Sequence, residues 1–66
     1  MKNIAVIGTG YWGKNLVRNF YALDALHTLC DINPETVLSF CEQYPGVNGV
    51  TSFAEVLSMP DIRGIA

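Results

Sequence analysis

The chain has 66 residues and a mass of 7.2 kDa, so it holds at most one small domain. Half of its residues are apolar and 15% are charged, which excludes a disordered or solvated tail. Four Lys/Arg against six Asp/Glu give a net charge of −2 with no basic run, arguing against a nucleic-acid or anionic-membrane surface.

Ile4-Ala5-Val6-Ile7 is a continuous apolar run closed by Gly8. Three of its four residues are β-branched, which fits a strand buried on both faces of a parallel sheet. The run is too short for a signal-peptide core or a membrane span, so a cytoplasmic protein is expected. From Gly13 the spacing becomes helical. Gly13, Leu16, Val17 and Phe20 share one face, and Lys14, Asn15, Arg18 and Asn19 share the other. Leu26 to Cys30 reads as a second strand, ending at Asp31.

Asn33-Pro34-Glu35 reads as a helix start, with Asn as N-cap, Pro at the first position and an acid in the first turn. Val37, Leu38, Cys41 and Tyr44 are expected to form its buried stripe, and Pro45-Gly46 to stop it. Val47 to Val50 suggests a short third strand. Ser52 and Glu55 have capping-box spacing for a short helix through about Ser58. Arg63 to Ala66 reads as the entry to a fourth strand.

Strand–helix alternation three times over, then a strand stub, predicts an α/β fold: a truncated, Rossmann-type doubly wound parallel sheet. The expected sheet order is 3-2-1-4. A stub in fourth place predicts that one edge of Ile4 to Ile7 stays unpaired, so that the isolated fragment self-associates, exchanges strands, or is ordered only beside neighbouring chain.

The chemistry falls at the first strand–helix junction. Gly8-Thr9-Gly10-Tyr11-Trp12-Gly13 is G-x-G-x-x-G, directly after a strand and opening a helix. Gly8 allows the tight turn, Gly10 allows a pyrophosphate to approach the backbone, and Gly13 allows the helix to pack closely. The N–H groups near Tyr11 and Trp12 then face the anion with the positive end of the helix dipole. A glycine-rich turn that binds nothing is the plain alternative. Asp31 tips the balance. It stands 18 residues after Gly13, at the end of the second strand, where a dinucleotide fold places the acid for the adenosine ribose hydroxyls. The competing role of turn or cap aspartate falls to Asn33, which leaves Asp31 spare. With no Lys or Arg between Arg18 and Arg63 to neutralise a 2′-phosphate, NAD is expected over NADP.

Lys2 to Phe20, together with Cys30-Asp31-Ile32-Asn33-Pro34-Glu35, resembles the Gfo/Idh/MocA family of NAD(P)-dependent sugar and cyclitol dehydrogenases. The resemblance covers all 66 residues, with Gly10 to Phe20 looking most like bacterial members that oxidise C3 of UDP-N-acetylglucosaminuronic acid. It implies that residues 1–66 are the N-terminal part of a dinucleotide-binding domain. The partner domain would carry a sugar or nucleotide-sugar substrate and homo-oligomer contacts. The family's catalytic Glu-Lys-Pro motif and its acid/base residue would lie beyond Ala66, so no catalytic residue is assigned.

Other candidates are weaker. His27 has no partner acid or nucleophile near it in sequence and reads as a surface or strand-edge residue. Cys30 and Cys41 read as free core thiols, and with one histidine in the chain no metal site is expected. Lys14 and Arg18, at i and i+4, suit either a phosphate or a solvated helix face. Trp12 suits the nicotinamide side of the pocket or a packing role against the sheet. Phe20, Tyr21, Phe40 and Phe53 read as core or half-buried packing. A nucleotide-binding module without catalysis, a methyltransferase and a flavoprotein remain as alternatives. Against the methyltransferase, no acid precedes Gly8 in the first strand; against the flavoprotein, the second-strand acid is Asp rather than Glu.

Overall fold

The apolar runs become strands and the amphipathic runs become helices. The computed structural model describes residues 2–8 and 11–66, with the side chains of Tyr11 and Trp12 outside that description. In chain order the elements are β1 (Ile4–Ile7), α1 (Tyr11–Ala22), β2 (Leu26–Cys30), α2 (Pro34–Gln43), β3 (Asn48–Val50), α3 (Phe53–Leu57) and β4 (Gly64–Ile65). The four strands form one parallel sheet in the order β3-β2-β1-β4. Among the described residues, no helix is long and apolar enough to cross a membrane.

Helices cover both faces of the sheet. Val17 of α1 and Val37 of α2 pack with Val6, Leu26 and Leu29 on one face. Val56 of α3 packs with Ala5 and Cys30 on the other. Adjacent β1 residues Ala5 and Val6 are thus both fully buried, one on each side, as a central parallel strand requires.

The pairing of β1 with β2 slips by one residue: Ile4 faces Leu26, but Ala5 faces Thr28. His27 is the extra residue of a β-bulge. Side chains alternate along a regular strand, so Leu26 and Leu29, three apart, would point to opposite faces. The bulge puts both in the same core cluster. It also explains how neighbouring His27 and Thr28 meet, with Nδ1 and Oγ1 2.6 Å apart.

Several expectations are corrected. Helix α1 starts at Tyr11 rather than Gly13, and β3 starts at Asn48 rather than Val47. Leu38 is 62% exposed. The inner stripe of α2 runs through Val37, Phe40, Cys41 and Tyr44, at i, i+3, i+4 and i+7, and Leu38 lies about 100° round the helix from Val37. Ser52 forms no side-chain cap; its backbone carbonyl accepts the Glu55 N–H instead, at 3.1 Å. The edge of β1 is not left open. Ala66 N–H donates to the Ala5 carbonyl and Ile7 N–H to the Ala66 carbonyl, both at 2.9 Å, while Gly64 N–H donates to Asn3.

Helix α1 ends in a Schellman motif: Ala25 N–H bonds the Phe20 carbonyl and Asp24 N–H the Tyr21 carbonyl. Asp24 occupies the left-handed position at φ 58°, where glycine is favoured. Its carboxylate lies 3.5 Å from Lys2 Nζ, an exposed ion pair of little value. Replacing Asp24 with Gly should therefore stabilise the fold by about 0.5 kcal/mol, seen as a higher urea midpoint at unchanged slope. A lower midpoint would mean that the ion pair outweighs the backbone strain.

Gly49 lets α2 lie close on β3. A Cβ there would stand 2.5 Å from both Cys41 Sγ and Val37 Cγ1. Gly49→Ala should cost about 1–3 kcal/mol by overpacking, measured by thermal or urea unfolding. An unchanged midpoint would show that α2 shifts freely.

Candidate functional site

Three strand ends meet at one edge of the sheet. Ile7 pairs in register with Cys30, and Cys30 with Val50, so Gly8, Asp31 and Thr51 emerge side by side. Gly8 N–H donates to the Cys30 carbonyl at 2.7 Å and Asp31 N–H to the Val50 carbonyl at 3.2 Å, which locks the three exits together. Gly8 turns out of β1 at φ +79°, a conformation that side-chain-bearing residues rarely adopt. Thr9 and Gly10, and with Gly10 the central glycine of the motif, lie outside the described residues.

Tyr11 and Trp12 open α1 immediately after this turn. Gly13 is buried, and a Cβ built on it would overlap the carbonyl oxygen of Gly8 and stand 2.7 Å from the carbonyl carbon. Helix α1 therefore rests on the turn backbone. The other two helices each carry an acid in the first turn, Glu35 and Glu55. Helix α1 carries none, so no side chain of its own first turn offsets the positive end of its dipole.

Asp31 is not spare. Its Oδ1 accepts the Asn33 N–H at 2.9 Å, while Asn33 Oδ1 accepts the Glu35 N–H at 3.0 Å as the N-cap of α2. The two side chains share the turn, one orienting the other. Asp31 lines a cleft of about 190 Å³ with Ile7, Gly8, Cys30, Ile32, Thr51 and Phe53.

Ile32, Thr51 and Phe53 were not legible as site residues. Ile32 is 90% exposed and Phe53 47%, so Phe53 is a cleft wall rather than core. The one signal available was Ile32 itself, an apolar residue between two polar turn residues. Cys30 is buried beneath the cleft. Burial, and then the charges of Asp31 and Glu55, push its thiol above the usual range, so it stays protonated at neutral pH and acts as a wall.

His27 does have an acid beside it in space. Its Nε2 stands 3.9 Å from Asp61 Oδ2, and Thr28 Oγ1 in turn reaches Met59 Sδ at 3.5 Å. Thr28 is fully buried, so this group ties the segment after α3 to β2 and offers no accessible nucleophile. Among the described residues, no group of three or more His, Cys, Asp or Glu is placed to hold a metal ion. Lys14 and Arg18 lie away from the cleft, in a groove between α1 and α2.

No protein-family model matches the chain, and neither does any curated protein or solved structure.

The Gly13 contact gives a direct test of how α1 is seated. Alanine is the better helix former by about 1 kcal/mol, yet Gly13→Ala should destabilise by about 2 kcal/mol, because its methyl group meets rigid backbone. Chemical denaturation measures the difference. A stabilised variant would show that α1 can slide away from the turn without loss.

Proposed function

We propose that this chain is the cofactor-holding segment of an NAD-dependent oxidoreductase, built as the first part of a Rossmann-type domain. The observation that carries the reading is the convergence of Gly8, the N-terminus of α1 and Asp31 at the carboxyl ends of the parallel strands. Ligands of open α/β sheets bind beyond the carboxyl ends of the strands, where the connections switch from one face to the other. Here the switch falls between β1, followed by α1 on one face, and β4, preceded by α3 on the other.

The residues suit the adenosine half of a dinucleotide. Asp31 offers carboxylate oxygens to ribose hydroxyls, with its orientation held by Asn33. Ile32 and Phe53 offer apolar surface for a purine, and Thr51 lines the same cleft. The turn from Gly8 and the N–H groups of Tyr11 and Trp12 would take the pyrophosphate. At about 190 Å³ the cleft suits the adenosine end alone. NAD, when bound, supplies hydride transfer; this chain's part is to hold and orient it.

The glycine motif and the Asp31 segment support membership of the Gfo/Idh/MocA type, with a sugar or nucleotide-sugar hydroxyl as the hydride donor. Such a protein would assemble as a homo-oligomer and work in the cytoplasm.

Calorimetric titration with NAD, NADP, a flavin dinucleotide and S-adenosylmethionine tests the reading. NAD should bind most tightly, because a 2′-phosphate would meet the Asp31 carboxylate as a like charge. Asp31→Ala should weaken NAD by about 1–3 kcal/mol, the loss of charge-assisted hydrogen bonds. Equal or tighter binding of NADP, or a preference for the flavin or the methyl donor, overturns it.

A further inference from the structure

We propose that Asn48-Gly49 is a site of spontaneous covalent modification. The Asn48 side-chain amide closes onto the Gly49 backbone nitrogen, and the β-linked aspartate that results undoes the pairing of β3 with β2. The chain has five asparagines, and Asn48 alone precedes a glycine. Asn3, Asn15 and Asn19 precede Ile4, Leu16 and Phe20, whose side chains crowd the attacking nitrogen, and Asn33 precedes Pro34, which has no N–H.

The attacking nitrogen faces the open side of the sheet. Strand β3 is an edge strand, with β2 as its one neighbour. The Val50 carbonyl accepts the Asp31 N–H at 3.2 Å, so Val50 turns its backbone polar groups towards β2. Successive residues of a strand turn these groups to opposite sides, so Gly49 directs its N–H outwards. Asn48 and Gly49 are both exposed. Asn48 stands two residues from Val50 and shares its face, the one that α3 covers, whereas a Cβ on Gly49 would meet α2. The ring therefore closes on the side away from the tight α2 contact. The glycine that α2 requires for its close approach also supplies the least hindered nitrogen in the chain.

The step balances without an oxidant. The Gly49 nitrogen gives up its proton to hydroxide and attacks Asn48 Cγ. The new N–Cγ bond forms as the Cγ–Nδ2 bond breaks, and the amide nitrogen leaves as ammonia. Water then opens the cyclic imide. Opening at Cγ gives ordinary aspartate; opening at the Asn48 carbonyl carbon gives the β-linked form, with one more methylene in the backbone. In an extended strand the nitrogen is held away from Cγ, so the Asn48–Gly49 peptide must first rotate, at the cost of the ladder bond made by the Asn48 carbonyl. Asn and Gly are both poor strand formers and the strand has three residues, so this rotation is a local opening. The extra methylene puts Thr28↔Asn48 out of step with Cys30↔Val50, and with it the Val50 carbonyl that holds Asp31.

The test is to hold the whole chain at mildly alkaline and mildly acidic pH, with and without urea. Products are read by peptide mass mapping and by labelling with an isoaspartate-specific methyltransferase. Conversion is expected at position 48 alone, faster at alkaline pH, and about tenfold slower in the native chain than in urea, the effect of one hydrogen bond. Asn48→Gln should abolish it, because the larger ring closes far more slowly. Amide exchange at Asp31 should quicken in the β-linked product and not in Asn48→Asp, which carries the same charge without the methylene. Native protection above about a hundredfold would mean that only global unfolding exposes the site. That result, equal loss at the other asparagines, or unchanged Asp31 exchange in the β-linked product would each overturn the proposal, which stands whether or not the chain binds a nucleotide.

Discussion

The carbonyl group of Gly8 occupies the space where any side chain at position 13 would begin, so the exit from β1 and the first turn of α1 meet through backbone. That contact sets where the helix axis starts relative to the sheet, and hence where its first N–H groups lie. The same residue fixes a second neighbour, since the Gly8 N–H holds the end of β2 through the Cys30 carbonyl. Turn, helix start and Asp31 are thereby tied within a few bonds of one another. A site assembled from short backbone contacts tolerates little movement, which suits the recognition of a ligand by main-chain donors.

The opposite edge of the sheet is organised by the bulge at His27. One extra residue in β2 brings Leu26 into register with Leu29 on the α1–α2 face. It also leaves His27 and Thr28 facing the segment after α3, where Asp61 and Met59 meet them. The bulge thus acts on both faces at once, completing one core cluster and anchoring the return of the chain towards β4. Strand β2 has the same ends in sequence and in structure because its partner shift leaves its own hydrogen-bonded length unchanged.

The first two strands and the start of α2 were legible because each is announced locally: an unbroken apolar run closed by Gly8, a second closed by Asp31, and an Asn-Pro pair. Gly8, Gly13 and Asp31 were likewise recognisable by spacing, although the Asn33 N–H bond to Asp31 was not. The bulge left no trace, since apolar and polar residues in Leu26 to Cys30 do not alternate in either case. Asp24 hid a left-handed turn because the residue there is not glycine. Leu38 misled because a stripe spaced i, i+1, i+4 looks as apolar as the true one. Phe53 and Thr51 become cleft walls only once β3 lies beside β2, a tertiary fact that no local window contains.

The strand order has a kinetic meaning. Ile4 pairs with Leu26 on one side and with Gly64 on the other, so its two partners are reached through loops of very different length. Closing the longer loop costs about 0.9 kcal/mol more chain entropy, and the β4 ladder that rewards it is only two residues long. On loop-closure entropy alone, strands β1, β2 and β3 with α1 and α2 would form first, and α3 and β4 would dock onto them afterwards. Opening would follow the reverse order. The cluster of Ala5, Cys30 and Val56 would then behave as a separate cooperative unit, breathing on a faster timescale than the cluster of Val6, Leu29 and Val37 on the other face.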